Sequence, residues 1–321
     1  MGGNEPTRSV GKTGVNSLKI ILLIAAAALS SDAQQLLSGP VRAPDSSAVL
    51  RVDANLVLVP VTVTNNRGAV VPNLEASNFI LSEEKRPQSI VSFSHETAPI
   101  SLGIIVDLSG SMAYKLAKVH VALAALLDSL EPEDEEFLVT FADTADLRLP
   151  FTSDPSSIRS ALSFAAARGS TALFDAVALA LKQMHAARNG RKVLFLISDG
   201  GDNHSRLTER ELRRMLDEED VQIHAIGIHD HMASPEESRG PWVLEDLARM
   251  TGGEHHMVEN IDELPKMTGQ MSLALHDRYL LGYRPAPLGE SGMFRRIDVK
   301  VVQAAARGKV YVYARRGYRL P

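Results

Sequence analysis

Asp107, Ser109 and Ser111 occupy alternate positions in Asp107-Leu108-Ser109-Gly110-Ser111, directly after the apolar run Leu102–Val106. Asp199 ends a second apolar run, VLFLISD, and between the two lies a turn-forming stretch, Gly169-Ser170-Thr171-Ala172-Leu173-Phe174-Asp175. In an open parallel sheet, ligands bind just beyond the carboxyl ends of the strands. Two apolar runs that each end in Asp therefore bring Asp107, Ser109, Ser111, Thr171 and Asp199 to one rim, and every donor in that set is a hard oxygen. Such a set suits Mg²⁺, which takes six ligands at about 2.1 Å and keeps some water among them. Two carboxylates balance its charge, and the hydroxyls add none. Mn²⁺ or Ca²⁺ are alternatives, although Ca²⁺ usually recruits more or bidentate carboxylates. Glycines at 110, 200 and 201 let the backbone turn sharply beside a ligand.

Other chemistries are excluded or poorly supported. The chain has 321 residues and no cysteine, so disulfides, thiolate metal sites and a cysteine nucleophile are absent. A net charge of -5 argues against a nucleic-acid binder, which would normally show a basic face. His224, His229 and His231 fall together and His255-His256 follow, but neither set has the helical spacing with an intervening acid of a zinc hydrolase. They read as strand or loop histidines. A metal-dependent phosphohydrolase of the haloacid-dehalogenase type would need a second acid two residues after Asp107 for proton transfer, and Ser109 stands there. Asp143 and Asp146 read as solvated turn residues, Glu131–Glu136 (EPEDEE) as a solvated loop, and Trp242 as a packed side chain. Asp175 is expected to fix its helix start or its loop by hydrogen bonding.

The elements that must position these residues follow from hydrophobic periodicity. Apolar runs at 102–106, 137–141, 193–197 and 221–228 are each followed by a helical stretch. Leu116, Val119, Leu123, Leu126, Leu127 and Leu130 form one stripe, and Thr208 with Glu211 forms a capping box. Mostly apolar strands separated by amphipathic helices predict a doubly wound α/β domain with a mostly parallel sheet over residues 99–277. Residues 48–98 read as strands without a helix, with Val57, Val59, Val61 and Val63 alternating before the Asn65-Asn66-Arg67-Gly68 turn. Residues 278–321 return to strands, with alternation at Ile297, Val299 and Val301. Each set is too small to be stable alone, so the two are expected to pair in one small β-sandwich that flanks the α/β domain or receives it as an insertion.

Before these lies an address. Lys12 and Lys19 precede ten apolar residues, Ile20 to Leu29. As a helix these reach about 15 Å, half of a bilayer core of about 30 Å. With Ser31-Asp32-Ala33 following, residues 1–33 are expected to be a signal peptide cut after Ala33, leaving no stable membrane anchor. Residues 34–47, rich in Pro, Ser, Ala and Gly, read as a linker. The expected location is exported, periplasmic or secreted, in a bacterium.

The D-x-S-x-S run Asp107/Ser109/Ser111, with Thr171 and the Asp199 of S-D-G, resembles the metal-ion-dependent adhesion site of von Willebrand factor A domains. The flanks VPVTVTNNRG, YLLGYRP, GMFRRIDVKV and RRGY are similar to those of secreted von Willebrand A-type proteins common in acidobacteria. The resemblance implies that Ser109 and Ser111 contact the ion directly, that Thr171 does so directly or through water, and that Asp199 acts through water. The sixth position would then take an Asp or Glu carboxylate from a protein partner, so the metal recognises and nothing turns over. The expected function is that of an exported binding or adhesion module. The alternative is a scaffold or assembly subunit with a vestigial site.

Overall fold

The computed structural model describes residues 56–228, 240–285, 292–302 and 308–320. The expected signal peptide, the linker, His229 and His231 lie outside them.

The described chain opens with four strands, β1 (Val57–Asn65), β2 (Phe79–Glu83), β3 (Arg86–Gln88) and β4 (Ile90–Thr97). After two residues β5 (Ile100–Asp107) begins, and strands and helices then alternate. They run α1 (Leu116–Leu127), β6 (Glu135–Phe141), β7 (Ala145–Thr152), α2 (Pro155–Ser163), α3 (Leu173–Met184), β8 (Arg191–Ser198), α4 (Glu209–Glu218), β9 (Gln222–Ile228), α5 (Gly240–Thr251), β10 (His255–Val258) and α6 (Leu264–Ser272). The last strands are β11 (Asp277–Tyr283), β12 (Phe294–Val301), β13 (Val310–Ala314) and β14 (Gly317–Arg319).

The central sheet has the order β10-β9-β8-β5-β6-β7, parallel throughout except for β7, which pairs antiparallel with β6 at the edge. Every residue of β5 is buried, as a strand covered on both faces requires. Ile104 and Val106 face a core that includes Val119 and Leu123 of α1, Ile158 of α2 and Met271 of α6. Ile105, one step out of phase, faces the core holding Val177 of α3, Leu212 of α4 and Leu244 of α5. The expected doubly wound, mostly parallel fold is present. The antiparallel β7 was not foreseen: exposure alternates along it, and its outward Asp146 reads from the sequence as a solvated turn residue.

The strands at the two ends pair, as expected, into flanking antiparallel sheets. These have the orders β13-β1-β11-β4 and β14-β12-β2-β3. Val59, Val61, Val63, Phe79, Leu81, Tyr279, Leu281 and Val299 fill the space between them. Phe79, Phe93 and His95 all lie against the Tyr279 ring, with centroids 4.7–5.8 Å away. Buried Glu83 accepts hydrogen bonds from the Tyr283 and Tyr318 hydroxyls and pairs with Arg295.

The acidic run differs from its expectation. Asp134, Glu135 and Glu136 are buried, not solvated, because Asp134 and Glu135 have partners distant in sequence. Asp134 accepts the Ile100 and Glu131 amides at 2.8 and 2.7 Å and lies 2.7 Å from His276 Nε2. It therefore ties the first residue of β5 to the residue before β11. Glu135 accepts from the Ser101 hydroxyl and from Arg188. Glu136 Oε1 has no hydrogen-bond partner, and burial followed by the charge of Asp134 pushes its carboxyl up to about 7.

Candidate functional site

Asp107 is the last residue of β5 and is fully buried. Its Oδ1 accepts the Ser109 amide at 2.7 Å, which curls the chain back over the strand end. Its Oδ2 accepts the Ser198 hydroxyl at 2.5 Å, and that hydroxyl accepts the Gly200 amide at 3.0 Å. The ends of neighbouring β5 and β8 are thus fastened through one serine. Ser109 Oγ and Ser111 Oγ lie 3.1 Å apart, Ser109 buried and Ser111 half-buried. Burial pushes the Asp107 carboxyl up to about 7, with the Asp199 charge adding to the rise and the Ser198 and Ser109 hydrogen bonds opposing it.

The Thr171 loop is bound to both neighbours. Gly110 N donates to Gly169 O at 3.0 Å and Arg168 N to Leu108 O at 2.8 Å, joining it to the Asp107 loop. Gly169 has φ +81°, and a Cβ there would fall 2.5 Å from Asp143 Oδ2, so only glycine fits. Asp143 itself accepts the Ser170 amide at 2.7 Å. On the other side Thr171 N donates to Asn203 Oδ1, and Thr171 O accepts the Asn203 and His204 amides. Asp175 accepts the Arg206 and Leu207 amides, so it does fix a loop by hydrogen bonding, but that loop is the one after Asp199 and not its own. Thr171 and Asp199 are both nearly buried.

Three residues that the sequence reading missed complete the site. Lys115 Nζ lies 2.6 Å from Asp199 Oδ2, with side-chain exposures of 2% and 5%. A signal for it existed, since a lysine at a helix N-terminus opposes the macrodipole and calls for a counter-ion. Ser198 left no such signal. Gly240, at the start of α5, packs so closely that a Cβ would fall 2.0 Å from Gly200 Cα. Trp242 also differs from its expectation: it is 73% exposed, two residues beyond the contact that backs the Asp199 loop. Tyr114, beside Lys115, and Phe164 are exposed too. Phe164 lines a cavity of about 520 Å³ with Leu108, Asp143 and Arg168.

Of the candidate histidines, His224, His255 and His256 are among the described residues. His224 is buried in β9, its pKa lowered to about 4 chiefly by burial, and His256 pairs with Glu254. No group of three or more His, Cys, Asp or Glu side chains that could hold a metal occurs among the described residues. The set expected to hold a hard cation, Asp107 and Asp199 with the hydroxyls of Ser109, Ser111 and Thr171, contains only two carboxylates. No described helix is long and apolar enough to cross a membrane.

No curated protein matches the chain. Among solved structures, a von Willebrand factor type A protein from Catenulispora acidiphila is 15% identical, with 78% of this chain and 75% of that chain covered and a TM-score of 0.49. BatB from Bacteroides thetaiotaomicron is 20% identical over 54% of this chain and 97% of its own, with a TM-score of 0.44. The vWF domain of the type V pili tip protein Mfa5 from Porphyromonas gingivalis is 11% identical over 55% and 94%, with a TM-score of 0.44. Residues 102–201, from β5 through the loop that bears Asp199, match the von Willebrand factor type A domain family, and the chain contains a domain of that family.

Proposed function

We propose that this protein is an exported binding module whose rim holds a divalent cation, Mg²⁺ foremost, and through it grips an acidic side chain of a protein partner. The observation that carries this reading is the fastening of three loops around Asp107, Ser109, Ser111, Thr171 and Asp199. The residues fit a hard cation. Two carboxylates, one of them fully buried, are close enough for the charge of Asp199 to raise Asp107, and a cation relieves that repulsion. When bound, the ion would supply an electrophile for a carboxylate oxygen of the partner. Asp107, Ser109 and Ser111 would hold it from one loop, with Thr171 and Asp199 presented from the other two. The chain's own part is positional. Ser198 and the Ser109 amide fix the Asp107 carboxylate, and Asp143 and Asn203 fix the Thr171 loop.

Exposed aromatic residues support a protein as the partner. Tyr114, Phe164 and Trp242 each stand on a segment that adjoins the site loops, and all are well exposed. Aromatic side chains are the common anchors of protein interfaces.

A second reading, an assembly scaffold with no metal, is favoured by the Lys115–Asp199 pair, which already supplies a positive charge within the site. Calorimetric titration of Mg²⁺ into metal-stripped protein separates the two. Saturable one-site binding, abolished in Asp107→Ala while the fold is kept, is the expected outcome. Parent-like binding in Asp107→Ala would sink the site assignment, and no binding by the parent would favour the scaffold.

A further inference from the structure

Away from the rim, a second cavity of about 480 Å³ is lined by Arg210, Arg213, Arg214, Arg296, Arg316 and Arg319, with one acid, Asp217, among them. The first three lie at i, i+3 and i+4 on α4, a spacing that puts them on one helix face. Arg296 comes from β12, Arg316 from the turn before β14, and Arg319 from β14 itself. Six guanidiniums at one place run against the charge of the whole chain, which is -5.

Their pairing shows how much charge is left over. Arg213 pairs with Glu209 and Asp246, Arg316 shares Asp246, and Arg319 pairs with Asp217. Arg210, Arg214 and Arg296 have no carboxylate within ion-pair distance among the described residues. Three acids thus offset three of the six charges, and the surplus repels itself. Self-repelling charge of this kind is relieved by a bound anion. Arg319 lies over the Phe294 ring, 5.9 Å from its centroid, and Met250 adds a second apolar wall. The volume falls within the range of about 300–1,000 Å³ common for small-ligand sites.

We propose that this cavity is a binding site for a polyanion bearing phosphate or sulfate groups. The chemistry of the donors selects the class. A guanidinium fork matches two oxygens of one anion in its own plane, and a carboxylate, even when two guanidiniums share it as Arg213 and Arg316 share Asp246, offers only two oxygens in one plane. A tetrahedral oxyanion directs three oxygens apart and can accept forks from several elements at once, and here they come from α4, β12 and the β14 region. The site shares no residue with the rim and does not depend on the metal reading.

The test is calorimetry with sodium tripolyphosphate and with a heparin-derived sulfated oligosaccharide, in EDTA at about physiological ionic strength. Arg214→Gln/Arg296→Gln removes two exposed arginines that hold no carboxylate, so the fold should survive, as circular dichroism would check. Lys300→Gln, outside the cavity, serves as the charge control. Saturable one-site binding of at least one probe is expected, weakened at least tenfold in the double variant and unchanged in Lys300→Gln and Asp107→Ala. The tighter probe names the source as phosphate or sulfate. Absence of saturable binding by both probes overturns the proposal, as does equal binding by the double variant. A glutamate oligopeptide binding as tightly as either probe would overturn the oxyanion assignment.

Discussion

Lys115 sits at the N-terminal end of α1, where the helix macrodipole is unfavourable to a cation, yet it is almost wholly buried there. Asp199, 84 positions away, is what holds it. Removing one member of a buried pair leaves the other charged and uncompensated, at a cost of about 3–5 kcal/mol. Lys115→Met is therefore expected to lower the thermal midpoint in EDTA. A cation bound at the rim would replace the missing charge, so added Mg²⁺ should raise the midpoint further in the variant than in the parent. Equal Mg²⁺-induced shifts would show that Lys115 and the cation do not act on the same carboxylates. Sequence reading could group Asp107, Ser109 and Ser111 because their relation is local, two residues apart at a strand end. It missed Lys115 and Ser198 because each acts on a carboxylate more than eighty residues away.

β6 shows the same limit at the level of an element. Its apolar portion, Phe137–Phe141, was legible, and so was the capping box of α4, where Thr208 and Glu211 exchange hydrogen bonds three residues apart. The acidic start of β6 was not. A run of like charge is normally solvated, and the distant Ile100, Ser101, His276 and Arg188 make its burial tolerable. Glu136 has no such partner, and this gives the element a pH signature. Its carboxyl ionises near the ordinary 4.5 when the chain is unfolded and near 7 in the fold. Between those values the folded state holds more protons, so this group's contribution to stability falls as pH rises through the window. Glu136→Gln, which cannot ionise, should be more stable than the parent at pH 8, with the advantage fading toward pH 4.5. Urea midpoints across that range would check it, and a pH-independent difference would count against the assignment.

For the whole molecule, the α/β domain leaves the antiparallel sheets through β4 and returns through β11, and these two strands are hydrogen-bonded neighbours. Thr97 Oγ1 donates to Asp277 Oδ1 at 2.7 Å where they part, and Asp134 fastens Ile100 to the neighbourhood of His276 just beyond. Hydrogen bonds from His276 and the two amides hold the Asp134 carboxyl below its usual range despite burial. Its stabilisation is thus present above the ordinary carboxylate pKa and is lost as pH falls through the lowered one. Asp134→Ala strands two amides and a buried histidine, and should cost about 2–4 kcal/mol at pH 7, measured by denaturant unfolding. A loss below 0.5 kcal/mol, within the spread of ordinary surface substitutions, would mean the clasp is incidental. The pairing of terminal strands was legible from their alternation, but the clasp was not, because its parts lie up to 142 residues apart. The geometry also has a mechanical side. β5 runs from this junction to the rim, about 23 Å away at strand rise. A tug on anything held at Asp107 would travel down β5 and draw β4 and β11 lengthwise along β1, to which β11 is paired from Val57↔Tyr283 to Val61↔Tyr279. The rungs of that ladder would bear the load together, in shear, instead of opening one after another like a zip.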